Sequence, residues 1–440
     1  MMKFNRRHFH QLSGALSASL VAGTNLDPAR GDDVGKATTG PLETFVPTRA
    51  ITRGPRHHWF GYYDKREFDP TGRYVLANET TFEGRAPTGN DSITVGYVDT
   101  KSDDQWIPIG KSRAWGWQQG CMLQWVGDQG DTILWNDRVA DRFVSRIYSV
   151  SDQKVRTLSR PIYTVSADGR FGLSVDFRRI DNLRPGYGYD GLADPHVNDR
   201  APEGSGIWRV DLKTGEDQLI MSLADVAQIP WSDGDRHAEA WHYFNHLLIN
   251  PSGTRFIVLH RYRPKFDPKT LKFDGGFVTR MITANVDGTE RYVLDPSGYT
   301  SHFIWKDDQE VTMWTRPAGQ KNGFYVFTDR TDRVVPVGQD KMPTNGHNTY
   351  LPAPYSDWIL NDTYPDRKTS RQTVFLYHVP SGRRVDLGHF PSPRAYRGEW
   401  RCDTHPRSSD DGTLVAIDSP HQDGRQVYLL DVRDVIESVS

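Results

Sequence analysis

The 440-residue chain has two cysteines, Cys121 and Cys402, so no framework of disulfides holds it together. It has almost no net charge: 54 lysines and arginines face 56 aspartates and glutamates, which argues against a nucleic-acid binder. After the first residues no apolar run reaches the ~20 residues that a membrane-spanning helix needs. Helical periodicity is nearly absent, the best stretch being Leu223 to Gln228. No glycine-rich phosphate loop, Gly-x-Ser-x-Gly elbow or His-Glu-x-x-His helix occurs, which argues against the hydrolases and nucleotide enzymes built on them. Aromatic residues, by contrast, are abundant. With 13 Trp, 19 Tyr and 19 Phe, the chain is neither intrinsically disordered nor a coiled coil.

Residues 1 to about 40 read as an address and a linker. Arg6 and Arg7 precede Phe9 and a weakly apolar run from Leu12 to Gly23, the plan of a signal peptide. The Arg-Arg-x-Phe order resembles a twin-arginine signal, with an ordinary secretory signal as the alternative. The expected location is periplasmic or secreted.

From residue 41 onward one pattern recurs: a polar or aromatic residue, a short apolar strand, an Asp/Asn-Pro-x-Gly or Asp-Gly turn, and a second apolar strand. It is clearest in GYYDKREFDPTGRYVLAN from Gly61, YTVSADGRFGLSVDF from Tyr163 and NHLLINPSGTRFIVLHR from Asn245. Units from Cys121, Ser301, Gly346 and Thr404 complete seven. Several units are followed by a second hairpin such as IWRVDLKTGEDQLI, giving four strands each. Four-stranded sheets repeated radially are the β-propeller answer to exposed sheet edges. Residues 41–440 therefore read as one all-β domain, a seven-bladed β-propeller with four-stranded antiparallel blades, with a pair of β-sandwiches as the alternative. A monomer is expected.

In a propeller the starts of the innermost strands converge on the central channel. In chain order they are the segment from His57 and His58 to Lys65, then Gln118/Gln119, Tyr163, His246, His302, His347 and His405. Four consecutive units open with histidine, and Cys402 and Asp403 lie just before His405. Imidazole and thiolate suit zinc in a closed structural site. His302, His347, Cys402 and His405 are the expected ligands of one divalent metal, zinc first and calcium second. His246 is a reserve ligand or a catalytic residue, and channel histidines bonded to water and backbone are the alternative.

Unit three offers acid–base chemistry. Tyr163 opens the inner strand and Arg178 and Arg179 are expected to end the returning strand beside it. A guanidinium lowers the pKa of a neighbouring phenol. That pairing suits proton abstraction next to a carboxylate, with the arginine neutralising the acid. A long insertion, Arg178 to Gly206, carries Arg184, Tyr187, Tyr189 and His196, residues suited to sugars and acidic groups, or else caps the propeller. A second insertion from Tyr262 is basic and aromatic, as an acidic-glycan groove or a solvated hairpin would be.

The segments HHWFGYYDKREFDPTGRYVLAN, WQQGCMLQW, HYFNHLLINPSGTRFIVLHR and YRGEWRCDTHP resemble the seven-bladed propeller polysaccharide lyases, the ulvan lyases and the more distant oligogalacturonate lyases. The resemblance runs from about His57 to Ile436. It implies β-elimination at a uronic acid, a Tyr and an Arg in the active site, here Tyr163 and Arg179, and a structural metal. It also implies a histidine base beside a metal in the oligogalacturonate lyases, which would promote His302. Where ulvan lyases carry an active-site histidine pair, this chain places Gln119 and the Asn136/Asp137 end of the returning strand. Gln119, Asp137, Arg178, Arg184, Tyr187 and Tyr189 are accordingly expected to bind an acidic polysaccharide or oligosaccharide. The function from another class is a non-catalytic propeller that binds acidic glycans or a protein partner.

Overall fold

The computed structural model describes residues 40–231, 237–422 and 424–438. Apart from Gly40, the signal and linker expected over the first 40 residues lie outside them. The repeats become strands because their turns are built to reverse the chain. In Asp69-Pro-Thr-Gly72 the Asp69 carboxylate accepts from the Tyr74 and Thr71 N–H groups, and Gly72, at φ +65°, donates its N–H to the Asp69 carbonyl. Asn250 to Gly253, Ser166 to Gly169 and Ser409 to Gly412 repeat the arrangement, each with the glycine in the left-handed region. Side chains alternate across the strands that follow, and the apolar face turns inward.

Seven antiparallel sheets result. Their innermost strands are His57–Trp59, Gln124–Val126, Thr164–Val165, Trp241–Ile249, Phe303–Trp305, Thr349–Tyr350 and Arg407–Ser408. Four strands make each blade, and blade six carries a fifth, Glu43–Thr44, on its outer edge. The ring closes between the ends of the chain: Thr48–Ala50 pairs with Gln426–Asp431 as the outer strand of blade seven. The apolar core lies between adjacent blades. Trp59, Trp117, Trp125 and Trp135 fill the wedge between blades one and two, and Leu360, Leu376, Ile417 and Leu430 that between six and seven.

Besides the short helix Arg433–Glu437 of the last blade, two helices decorate the ring. Leu223–Ala227 is the short helix expected from the sequence, capped by Ser222, whose hydroxyl accepts from the Asp225 N–H. The other corrects an expectation. Arg178 and Arg179 do not end a returning strand; they lie on the helix Phe177–Leu183, capped by Asp176. This helix begins the insertion of blade three and stacks Phe177 between Tyr189 and Tyr163, ring centres 4.2 and 5.8 Å away. The second insertion forms the hairpin of Phe266–Asp267 and Lys272–Phe273, largely exposed. No helix among the described residues is long and apolar enough to cross a membrane.

Candidate active site and metal centre

The histidines of blades four to seven converge as their spacing foretells. The ring centres of His302 and His347 are 4.2 Å apart, and so are those of His347 and His405. Tyr62 and Tyr63 pack against them from blade one. Tyr63 is pinned because its hydroxyl both donates to the Phe303 carbonyl and accepts from its N–H. His246 arrives differently from the others. Its strand begins at Trp241, and a bulge between Asn245 and Leu247, with His246 at φ +52°, swings the ring into the cluster.

Within the cluster, His347, Asp403 and His405 place their ligand atoms within 4.8 Å of one another, all buried. His347 is oriented by Asp362: the Nδ1–H faces both carboxylate oxygens at 2.9 and 3.0 Å, so Nε2 presents its lone pair. Asp362 is itself held by the Thr404 hydroxyl. His347 Nε2, His405 Nε2 and Asp403 Oδ1 are buried without a hydrogen-bond partner. Three unsatisfied acceptors meeting at one point are costly unless a cation joins them. The residues fit a divalent ion: two imidazoles and a carboxylate are a donor set open to several transition metals.

The expected ligand set changes in two places. Asp403 takes the place of Cys402: its carboxylate lies with the ligand atoms of His347 and His405, and the Cys402 thiol is not among them. Burial pushes the Cys402 thiol well above its ordinary range. Without a thiolate, nothing in the donor set singles out zinc. His302 packs against His347 with the rings tilted at 53° but stays outside the set, with Nδ1 3.0 Å from Asn345 Oδ1 and Nε2 3.4 Å from the Tyr364 hydroxyl.

A second group adjoins the first. His246 Nε2 is 3.0 Å from Asp64, whose other oxygen accepts from Lys65 at 2.8 Å. Burial alone would raise Asp64, but Lys65 and His246 bring it down to about 2. Gln119 donates to the Tyr163 hydroxyl at 2.7 Å. Tyr163 runs against expectation: burial, with Asp64 nearby, pushes its phenol well above its ordinary value.

Arg179 is not beside it. It is 2% exposed, and its donors serve the carbonyls of His242, His196, Asp199 and Arg200 and the Asp194 carboxylate. It anchors the insertion and has no donor left for a ligand. Arg178 pairs with Asp176, and Asp137 pairs with Arg146 and caps the Arg113 and Arg138 N–H groups. Tyr189 accepts from Asn136 in the core. None of these four reaches the cluster.

The phenol–guanidinium pairing exists one loop further on. Arg401 donates to the Tyr187 hydroxyl at 2.8 Å, and the Arg184 guanidinium lies 4.7 Å from the centre of the Tyr187 ring. Burial would raise this phenol, but Arg401 and Arg184 bring it below its ordinary value. Arg401 also donates to Asp403 at 2.7 Å, which ties Tyr187 to the metal ligands. The sequence reading passed over Asp64, Asp362, Arg401 and Tyr364; only the run Tyr62-Tyr63-Asp64-Lys65 carried a visible signal, four polar or aromatic residues ahead of an inner turn.

Buried histidines make the fold acid-labile. His242, His246 and His421 are each brought down to about 4 by burial. Their folded pKa lies below the unfolded value of 6.5, so the unfolded chain binds more protons between the two. Stability is therefore intact above pH 6.5 and falls as pH drops toward 4, by up to about 1.4 kcal/mol per pH unit for each histidine. Denaturant midpoints measured from pH 7.5 to 4 are expected to decline across that window, and a flat profile would contradict it.

No family model matches the chain, and no curated protein matches it. Solved structures do. An oligogalacturonate lyase in complex with manganese superposes with a TM-score of 0.61 at 12% identity, over 91% of this chain and 100% of that one. The oligogalacturonate lyase of Vibrio parahaemolyticus gives 0.60 at 13% identity, over 90% and 97%. At such identity the likeness establishes the shared fold.

Proposed function

We propose that this chain is an exported lyase that cleaves uronate-containing oligosaccharides or polysaccharides by β-elimination at the mouth of its channel. The observation that carries the reading is the junction at Arg401, which holds a phenol of lowered pKa and a ligand of the metal centre on the same guanidinium. A uronate presents the matching pair, a carboxylate and an acidic C–H on the carbon beside it. The fold shared with the oligogalacturonate lyases supports the same reading, and the Arg6-Arg7 segment supports export.

His347, Asp403 and His405 would hold the cation, which when bound supplies positive charge to the substrate carboxylate. Arg401 orients Tyr187 and, with Arg184, favours its ionised form. Tyr187 takes the proton from C5, the electron pair forms the C4–C5 double bond, and the C4–O bond breaks. Tyr187 then returns the proton to the departing oxygen, so no water is consumed. His246, with Nε2–H toward Asp64 and Nδ1 3.5 Å from the Tyr62 hydroxyl, positions Tyr62 beneath the site.

The test follows ultraviolet absorbance of the unsaturated product on oligogalacturonate, ulvan, alginate, glucuronan and glycosaminoglycans. Tyr187→Phe is expected to lower turnover roughly 10²- to 10⁴-fold while glycan affinity persists. A flat trace on every polymer, from folded and metal-loaded protein, would reject the lyase and leave the acidic-glycan binder.

A further inference from the structure

Buried arginines other than Arg261 meet carboxylates or backbone carbonyls in this fold: Arg263 donates to the Leu183 and Gly275 carbonyls, and Arg280 to those of Val226, Ile229 and Pro230. Arg255 meets Asp329 at 2.5 Å, Arg407 meets Glu67 and Asp418, and Arg425 meets Glu83. Arg261, on the same strand as Arg255 and 7% exposed, meets no carboxylate among the described residues. Its Nε donates to Thr279 Oγ1 at 3.0 Å. The charged and titratable groups that act on it include Tyr243, Arg184, Tyr62 and Tyr187, with Arg263, Tyr163 and His246 also near, and none of these is a carboxylate.

The sheet register explains the grouping. Tyr243 and Thr279 are the cross-strand partners of Arg261 on either side, so the three side chains share one face of blade four. Tyr243 is 1% exposed, and its hydroxyl has no hydrogen-bond partner. Phe277 packs against the group, its ring centre 4.6 Å from the Arg261 guanidinium and 4.9 Å from that of Arg184. Arg184 comes from the insertion of blade three, and its Nε is buried without a partner. Arg263 also lies against this ring, 5.3 Å from its centre, but spends donors on the Leu183 and Gly275 carbonyls; cation–π contact attracts the guanidiniums without compensating their charge. Like charges and an orphaned hydroxyl held together, with Arg261 and Tyr243 buried and Arg184 half-buried, are unfavourable until an anion joins them.

We infer that Arg184, Arg261 and Tyr243 form an oxyanion site, separate from the His347–Asp403–His405 centre, that binds a carboxylate or sulfate group of an acidic glycan. Arg184 contacts both Phe277 and Tyr187, so the site adjoins the mouth of the channel. Resting on the lyase reading, the substrate then carries a second acid group beyond the uronate being cleaved, as in a chain of consecutive uronates or one with a neighbouring sulfate ester.

The test uses the full metal-loaded protein, with sulfate and acetate as probes titrated calorimetrically and by thermal midpoint. One equivalent of either ion is expected to bind. Arg261→Met and Tyr243→Phe each weaken it roughly tenfold to a hundredfold, as loss of a charge-assisted hydrogen bond implies. Without oxyanions Arg261→Met melts higher than the wild type, because an uncompensated buried charge has gone; added sulfate narrows or reverses that order. Sulfate stabilises proteins generally, so the variant is the control. Preference for sulfate assigns a sulfate ester, and preference for acetate assigns a carboxylate. Arg184→Gln, at a half-buried position, gives the same loss should Arg261→Met fold poorly. Absence of saturable binding of either ion, or equal binding by the variants, overturns the site. Because these readouts need no turnover, an inactive protein that binds sulfate keeps this site and loses the lyase reading, whereas an active one that binds neither ion does the reverse.

Discussion

Replacing His405 with alanine is expected to strip the divalent cation from the purified protein and lower lyase turnover by roughly a thousandfold or more. The magnitude follows from several kcal/mol of charge stabilisation lost with the ion. His405 Nε2 is one of three buried acceptors without a partner at that point, so its removal leaves His347 and Asp403 short of a stable set. Asp362→Asn should act more mildly, about 10- to 100-fold in metal affinity, since Asp362 orients His347 and is not itself a ligand. Cys402→Ser should keep both metal and turnover. Metal content by mass spectrometry decides the matter. A His405→Ala protein with a full equivalent of metal, or a Cys402→Ser protein without it, would return the thiolate to the ligand set.

The second large effect is on stability. Arg407→Met is expected to cost about 3–5 kcal/mol, the range for removing one partner of a buried ion pair. Arg407 donates to Glu67 at 2.5 Å and to both oxygens of Asp418 at 3.3 and 3.4 Å. Asp418 in turn accepts from the Phe60 and Gly61 N–H groups. This network joins the last blade to the first, and all three side chains are buried. Without the guanidinium, two carboxylates face each other out of water. Adding Glu67→Gln to Arg407→Met removes one of those charges and should recover part of the loss. Denaturant midpoints of the two variants test both claims, and a single variant as stable as the wild type would contradict the role given to Arg407.

The blades were legible because their turns have a local cause: an Asp, Asn or Ser side chain and a glycine three residues on suffice to reverse the chain. The histidine cluster followed from the blades, since a propeller brings equivalent positions of neighbouring repeats together. The misread helix was also written locally. Asp176 caps it, and Phe177, Ile180 and Leu183 recur at helical spacing on its buried side, but the expectation of a returning strand took precedence. Strand parity could not have chosen Asp403 over Cys402, because the inner strand starts only at Arg407 and His405 ahead of it sits at φ +39°. The pairing of Tyr187 with Arg401 lay beyond local reading. The two residues are 214 positions apart, and their contact depends on the course of an insertion over the channel. The same is true of Arg261, whose want of a counter-charge is visible only once every neighbour has been placed.

The pairing of Thr48–Ala50 with Gln426–Asp431 makes ring closure depend on two distant parts of the chain. The first of these strands is made well before its partner, so the outer edge of blade seven stays incomplete until both are present. Asp403 and His405 belong to the same late stretch. A chain without this later stretch thus has neither a closed ring nor the full set of residues proposed to hold the cation.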